Sequence, residues 1–301
     1  MPLAKAEKGT LPQYLGDAII RGLIGACRVV PFSLRGKLMG QILKSIVAPS
    51  VGYKKRAIDN LTYIYPEMNI AEKTRIANAV AVNAGRTFIE NYDILTLKQK
   101  LKNCDITGEG LTALEIAQAS GQPVLFVTGH FGNFEAPRAA LVAKGYQIGG
   151  LYRPMSNPYF NDHYAQNMHR LSGPVFEQGR RGTMGFLRHL KTGGMGVLLF
   201  DIYASRGAHI PFLGKPAPTA TSAAEIALKT GAVLIPMFGL RCEDSRLFEI
   251  ILNAPIAHST ALEMTMEMTK QLEEMVNDNP EQWFWIHRRW KPERHWSSGE
   301  P

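Results

Sequence analysis

The sequence predicts an α/β fold in a single domain, with a mixed central sheet flanked by helices and amphipathic helices ahead of it. Three observations carry that expectation. Short apolar runs, PVLFVTG (123–129), MGVLLFD (195–201) and AVLIPMFGLR (232–241), alternate with helical segments, as strands and helices do when they take turns. The 301 residues, 45% hydrophobic and 20% charged, are ample for one large core. No repeat, low-complexity tract or linker interrupts the chain. The layout expected is therefore an amphipathic, basic segment over 1–56 and an α/β domain over 57–296.

The N-terminal stretch YLGDAIIRGLIGACRVV (14–30) places Gln13, Asp17, Arg21 and Arg28 on one helical stripe, with Asp17 and Arg21 spaced for an ion pair. Leu11, Leu15, Ile19, Leu23, Cys27 and Val30 fill the opposite face, which makes the helix amphipathic. Its charges rule out a simple transmembrane span, which needs roughly 20 largely apolar residues. Two readings stand: a helix that caps the protein's own core, or one that lies in a membrane interface. The next stretch adds Arg35, Lys37, Lys44, Lys54, Lys55 and Arg56 among apolar residues and favours the membrane surface. No secretory signal is evident.

Further along, 71–95 reads as a helix, 135–145 as a helix with a glycine stop, and YQIGGLYR (146–153) as a strand. Residues 182–194 and 221–231 read as helices, LFEIILN (247–253) as a strand, and 258–279 as a helix ended by Asn279-Pro280. The formal charge of +8 calls for an acidic partner: nucleic acid, a phospholipid surface or an acidic carrier protein. No helix-turn-helix, RNP or zinc-finger pattern supports nucleic acid. Cys27, Cys104 and Cys242 are scattered, show no metal-ligand spacing, and read as reduced thiols. No metal site and no cofactor are expected.

Chemistry concentrates in VTGHFGNFEAP (127–137), where His130 and Glu135 follow an apolar strand. Reactive groups in α/β folds commonly sit where a strand hands over to a helix. Gly129 and Gly132 permit a tight turn, and Glu135 is spaced to reach His130 and fix its tautomer, leaving the other ring nitrogen to accept a proton. A core histidine beside an acid at a helix start is the competing reading.

The order HFGNFE, LYRPMSNP, LLFD, PFLGKPAPTATSAAEIALKTGAVLIPMF and WFWIHRRWKPER closely resembles the bacterial lipid A biosynthesis acyltransferases, the late lauroyl and myristoyl transferases of the lysophospholipid acyltransferase superfamily. RAIDNLTYIYPEM (56–68) resembles the segment before that family's histidine box, so the resemblance spans roughly residues 12–294. It implies His130 and Glu135 as the catalytic His-x4-acid dyad, and Arg153, Arg170 and Asp201 as substrate-binding positions. It further implies acyl transfer from an acyl carrier protein or CoA thioester to a hydroxyl of a phosphorylated glycolipid, at the cytoplasmic face of the bacterial inner membrane. Two departures stand out: Asp201 is followed by Ile202 and Tyr203 where the family often has a polar residue, and the first helix is a weaker anchor than usual.

The residues suit that chemistry. Acyl transfer needs a base for the alcohol, a donor for the oxyanion and a groove for the chain. Backbone amides near 129–132, or Arg153, are the oxyanion candidates. No G-x-S-x-G elbow is present, which favours direct attack by the acceptor without an acyl-enzyme. HRRWKPER (287–294) reads either as an exposed tail or as a contact for phosphates or an acidic carrier. Trp283, Phe284 and Trp285 read as core. The alternatives are a lysophospholipid or other glycolipid acyltransferase, an esterase or thioesterase, and a non-catalytic lipid-binding relative.

Overall fold

The structure, a computed structural model, describes residues 9–243 and 247–291. Residues 292–296, where the α/β domain was expected to end, and residues 1–8 lie outside the described part. α1 (Leu11–Cys27) begins at Thr10, whose N–H donates to Gln13 Oε1 at 2.8 Å. α2 (Phe32–Ile42) continues through a π-helical turn at Leu43–Val47 into α3 (Ala48–Ser50). α4 (Tyr53–Ile64) runs across position 56, the expected boundary between segment and domain. α5 (Ile70–Asn91) is capped by Asn69, whose side chain accepts the Glu72 N–H at 2.8 Å, and α6 (Ile94–Lys100) follows. α2 and α5 touch backbone to backbone: a Cβ at Gly85 would stand 2.5 Å from the Met39 carbonyl oxygen.

The remaining elements alternate. β1 (Ile106–Thr107), α7 (Gly110–Ser120), β2 (Val124–Thr128), α8 (Ala136–Ala143) and β3 (Ile148–Tyr152) come first. α9 (Pro158–Leu171), β4 (Val175–Glu177), α10 (Arg180–Lys191) and β5 (Met195–Leu199) follow. β6 (Ala208–Phe212) and β7 (Lys215–Thr219) form a separate antiparallel hairpin. α11 (Ser222–Thr230), β8 (Val233–Arg241), β9 (Phe248–Leu252) and α12 (Ala261–Asp278) complete the order. Among the described residues one seven-stranded sheet runs β1-β9-β8-β2-β5-β3-β4, parallel throughout except for the β8–β9 pair. It is the mixed sheet the sequence predicts.

β2 is buried at every residue, as a central strand covered on both faces must be. Its alternate side chains feed different cores. Leu125 and Val127 join Phe238, Met268, Trp283 and Trp285, while Val124 and Phe126 join Ala139, Leu141, Ile235 and Ile250. The first core settles the status of the C-terminal segment. Trp283 and Trp290 are fully buried against Phe212, Trp285 is buried against both of them, and buried Arg289 donates to the Pro218 carbonyl at 2.7 Å. Arg289 and Trp290 are thus packed structure, which corrects the exposed-tail reading for that part of 287–294; residues 292–294 lie outside the described residues.

The N-terminal helices turn the usual pattern round. On α1 the buried positions are Asp17, Ile24 and Cys27, whereas Leu11 is 70% and Ile19 64% exposed, with Leu15 and Leu23 also open. Arg21 pairs with Asp17 at 2.7 Å, as its spacing predicts, in a geometry that leaves both carboxylate oxygens without a hydrogen bond. Leu34, Leu38, Ile46 and Val51 extend the exposed apolar surface. Arg35 does not join the surface charges: it is buried and paired with Asp93 at 2.6 Å. No helix among the described residues is long and apolar enough to cross a membrane.

Candidate active site

β2 and β5 are neighbouring parallel strands in register, Thr128 opposite Leu199, so the residues two places beyond each end meet. Those residues are His130 and Asp201. His130 Nδ1 lies 2.7 Å from Asp201 Oδ1, and the His130 backbone N–H donates to Asp201 Oδ2, also at 2.7 Å. Trp283 Nε1–H adds a third bond to Oδ2 at 3.0 Å. The carboxylate is 1% exposed. Burial alone would push its pKa up, but the charge and hydrogen bonds of His130 outweigh that and hold it well below the usual carboxylate range. A carboxylate only accepts, so His130 Nδ1 carries the proton and Nε2 is the free basic nitrogen.

The turn is held from two sides. Phe284 N–H donates to the His130 carbonyl at 2.9 Å, and Gly132 N–H to the Gln282 carbonyl at 2.9 Å, so 282–284 runs antiparallel to the His130 turn. Gly132 has φ +53°, and a Cβ there would fall 1.9 Å from the Gly239 carbonyl oxygen; no other residue fits. These bonds occupy the backbone N–H groups of His130 and Gly132, which removes both from the expected set of oxyanion donors.

Glu135 is where the structure departs most from the sequence reading. Its carboxylate lies 3.4 Å from Arg138 Nη1, and its N–H donates to Asn133 Oδ1 at 3.1 Å at the start of α8. The spacing implied that Glu135 holds the imidazole; Asp201 holds it. The reason is geometric: the chain leaves the turn through the Gly132 kink, and the adjacent strand end offers a carboxylate already facing Nδ1. Asp201, expected to bind substrate or steady an arginine, is buried beneath the histidine instead. The oxygens of Glu135 point to the α8–α9 side, where their charge, after burial, raises the Tyr164 pKa.

Arg153 follows β3, next to β5 in the sheet, and is exposed at the same carboxyl edge as His130 and Asp201. Arg170 is exposed too, but in the last turn of α9, which ends beside the amino end of β3, where Ile148 N–H donates to Ser172 Oγ at 3.2 Å. The fold therefore brings Arg153 towards the pair and leaves Arg170 at the other end of β3. Neither arginine forms an ion pair among the described residues.

His287 is the site residue that spacing did not reveal. Its ring meets that of His130 edge to face, with centroids 4.4 Å apart, and its buried Nε2 has no hydrogen-bond partner. Burial first, then the neighbouring His130, pushes its pKa down to about 4. Phe134 and Phe284 complete an aromatic collar around His130. Cavities of about 430 and 540 Å³ elsewhere on the surface include neither member of the pair in their walls. Among the described residues no cluster of His, Cys, Asp and Glu could hold a metal ion.

The profile of the family described as bacterial lipid A biosynthesis acyltransferase matches residues 4–292. The chain belongs to this family. Among its lipid A biosynthesis acyltransferase relatives, one from Haemophilus influenzae is 26% identical over 280 residues, covering 91% of this chain and 87% of that protein. The lipid A biosynthesis myristoyltransferase of Escherichia coli is 18% identical over 290 residues, covering 91% and 86%. The lipid A biosynthesis lauroyltransferase of Escherichia coli is 28% identical over 188 residues, 60% of each chain. The protein is an acyltransferase of lipid A biosynthesis, and the family expected from its motifs is the one it matches.

Proposed function

We propose that the enzyme moves a fatty acyl chain from an acyl carrier protein (or CoA) thioester to a hydroxyl of a lipid A precursor or related phosphorylated glycolipid, with His130 as general base. The observation that carries this reading is the 2.7 Å bond between His130 Nδ1 and buried, ionised Asp201. Nε2 takes the hydroxyl proton as the oxygen attacks the thioester carbonyl carbon. The carbon–sulfur bond then breaks, and the thiolate leaves with the proton returned by the imidazolium. Asp201 stabilises that cation, and neutral His287 against the same ring adds no competing charge. Arg153 contacts the acceptor from the β3 end. Glu135, second member of the His-x4-acid box, acts by holding buried Arg138 at the start of α8.

The same reading places residues 11–56 on the cytoplasmic face of the bacterial inner membrane. Exposed Leu11, Leu15, Ile19, Leu23, Leu34 and Leu38 support it, since a soluble surface gains nothing from so continuous an apolar strip. Arg28, Lys37, Lys54 and Lys55 fall in the same stretch of sequence, and a cation near an anionic headgroup is worth about 1 kcal/mol.

The test is to incubate purified protein with labelled acyl-acyl carrier protein and a panel of lipid acceptors, and to weigh the product. An acylated glycolipid is expected. Free fatty acid without acylated lipid would mark a hydrolase, an acylated lysophospholipid alone a different acceptor class, and binding without product a non-catalytic relative.

A further inference from the structure

Arg288 and Lys291, just past His287, border a surface cavity of about 370 Å³. Its wall is basic: Lys55, Arg56, Asn60 and Tyr63 from α4, with Arg288 and Lys291 from the C-terminal segment. Among the described residues Asp59 is the one carboxylate in the wall, and its pairing with Lys55 at 2.7 Å leaves Arg56 and Arg288 there outside any ion pair. A further cation stands near, because Lys215 Nζ lies 5.4 Å from the centroid of the Tyr63 ring. Three stretches far apart in sequence thus bring like charges together, which costs energy unless an anion answers them.

Two links join this cavity to the catalytic pair. Asn60 Nδ2 donates to the carbonyls of Trp285, at 2.7 Å, and His287, at 2.8 Å, and the His287 ring rests on His130. Lys291 Nζ sits 3.9 Å above the Tyr203 ring, two residues beyond Asp201. A third feature concerns what approaches from outside. Gly52 is part of the wall, and Val51 immediately before it is 49% exposed, as is Ile46 to a greater degree. Cations set beside exposed apolar side chains match a lipid whose headgroup is anionic and whose chains stay in the bilayer. Guanidinium groups at Arg56 and Arg288 suit the paired oxygens of a phosphate.

We propose that this cavity binds a phosphate of the glycolipid acceptor and so presents the acceptor hydroxyl to His130; the proposal rests on the acceptor class given above. It moves the main phosphate contact from Arg153 and Arg170 to the α4 side of the molecule.

The experiment measures binding without the acyl donor. Full-length protein in neutral detergent micelles is titrated with a phosphorylated lipid A precursor and with the same lipid after phosphatase treatment. The wild type is expected to bind the phosphorylated form at least tenfold more tightly, with the preference shrinking as salt is raised. The combined variant Lys55→Gln, Arg56→Gln, Arg288→Gln is expected to bind both lipids alike while keeping the wild-type melting temperature. Retention of the preference by that variant, or its absence in the wild type, overturns the proposal. Should the triple variant misfold, Lys55→Gln and Arg288→Gln singly, both at exposed positions, must each narrow the ratio severalfold, and an unchanged ratio overturns the idea equally. Because no acyl transfer is measured, a failure of the catalytic reading leaves this result interpretable on its own.

Discussion

The carboxyl edge of the sheet and the first helix treat a buried carboxylate in opposite ways. Asp201 is enclosed by donors: the ring and backbone N–H of His130 and the indole of Trp283. Asp17 is equally enclosed, yet it has one ion pair, with Arg21 at 2.7 Å, and no hydrogen bond in good geometry, and the face of α1 behind it is leucine and isoleucine open to solvent. An unsatisfied buried polar group costs about 1–3 kcal/mol. The first region is organised before substrate arrives. The second leaves leucine and isoleucine side chains open, the feature on which the proposed membrane contact rests.

The largest effects should come from breaking the organised side. His130→Ala is expected to cut turnover by at least about 10²-fold, the low end for losing a positioned base, with the fold intact by circular dichroism. Asp201→Asn should cost as much, because the amide no longer fixes the Nδ1–H tautomer or steadies the cation. Glu135→Gln should cost clearly less than Asp201→Asn in the same assay; equal losses would return the orienting role to Glu135.

The next effect tests the other side of the comparison. Combining Leu15→Ser, Ile19→Ser and Leu23→Ser should weaken flotation with anionic liposomes by about tenfold or more, since each exchange forfeits part of the roughly 1.5–3 kcal/mol of burying such a side chain. The melting temperature should stay put, as these side chains are exposed in the free protein. A matching loss of thermal stability would instead mark a helix that stabilises the protein's own fold.

A smaller signal lies in pH. His287 is held at about 4, whereas an unfolded histidine titrates near 6.5, so between those values the unfolded chain binds more protons. Stability should therefore fall as pH drops from 6.5 to 4, and His287→Phe should flatten that part of a melting-temperature profile. Smallest of all, Arg153→Lys should raise the acceptor's Michaelis constant a few-fold, whereas Arg170→Lys, at the far end of β3, should not. Steady-state kinetics with acceptor and donor varied separately would measure both.

Much of this organisation is legible in the sequence, and the gaps have physical causes. β2, β5 and β8 are continuous apolar runs because both faces of each are covered, and such runs need no partner to be recognised. The β6–β7 hairpin is hidden because Pro211, Pro216 and Pro218 interrupt it and its turn is Leu213-Gly214, with Leu213 at φ +51° where asparagine or glycine would signal a turn. His130 and its strand-end position can be read locally. Its true partner cannot, because Asp201 is 71 residues away and reaches it only through the pairing of β2 with β5. The i,i+5 acid was the nearer candidate and the wrong one for Nδ1. His287 was hidden for the same reason: it lies 157 residues from His130 in sequence and meets it only through the packing of the segment that holds the buried tryptophans.

That segment also fixes when the enzyme comes into being. A ribosome delivers β2 and β5 long before Gln282, Trp283 and Phe284, so the strands can pair while the catalytic turn still lacks the bonds that 282–284 bring to it. Nor can the core close, since three of its largest side chains, Trp283, Trp285 and Trp290, are among the last described residues to be made. Chains interrupted short of this point would carry His130 and Asp201 and yet hold neither firmly. The turn that carries His130 is thereby completed only at the end of synthesis, when 282–284 arrives to bind it.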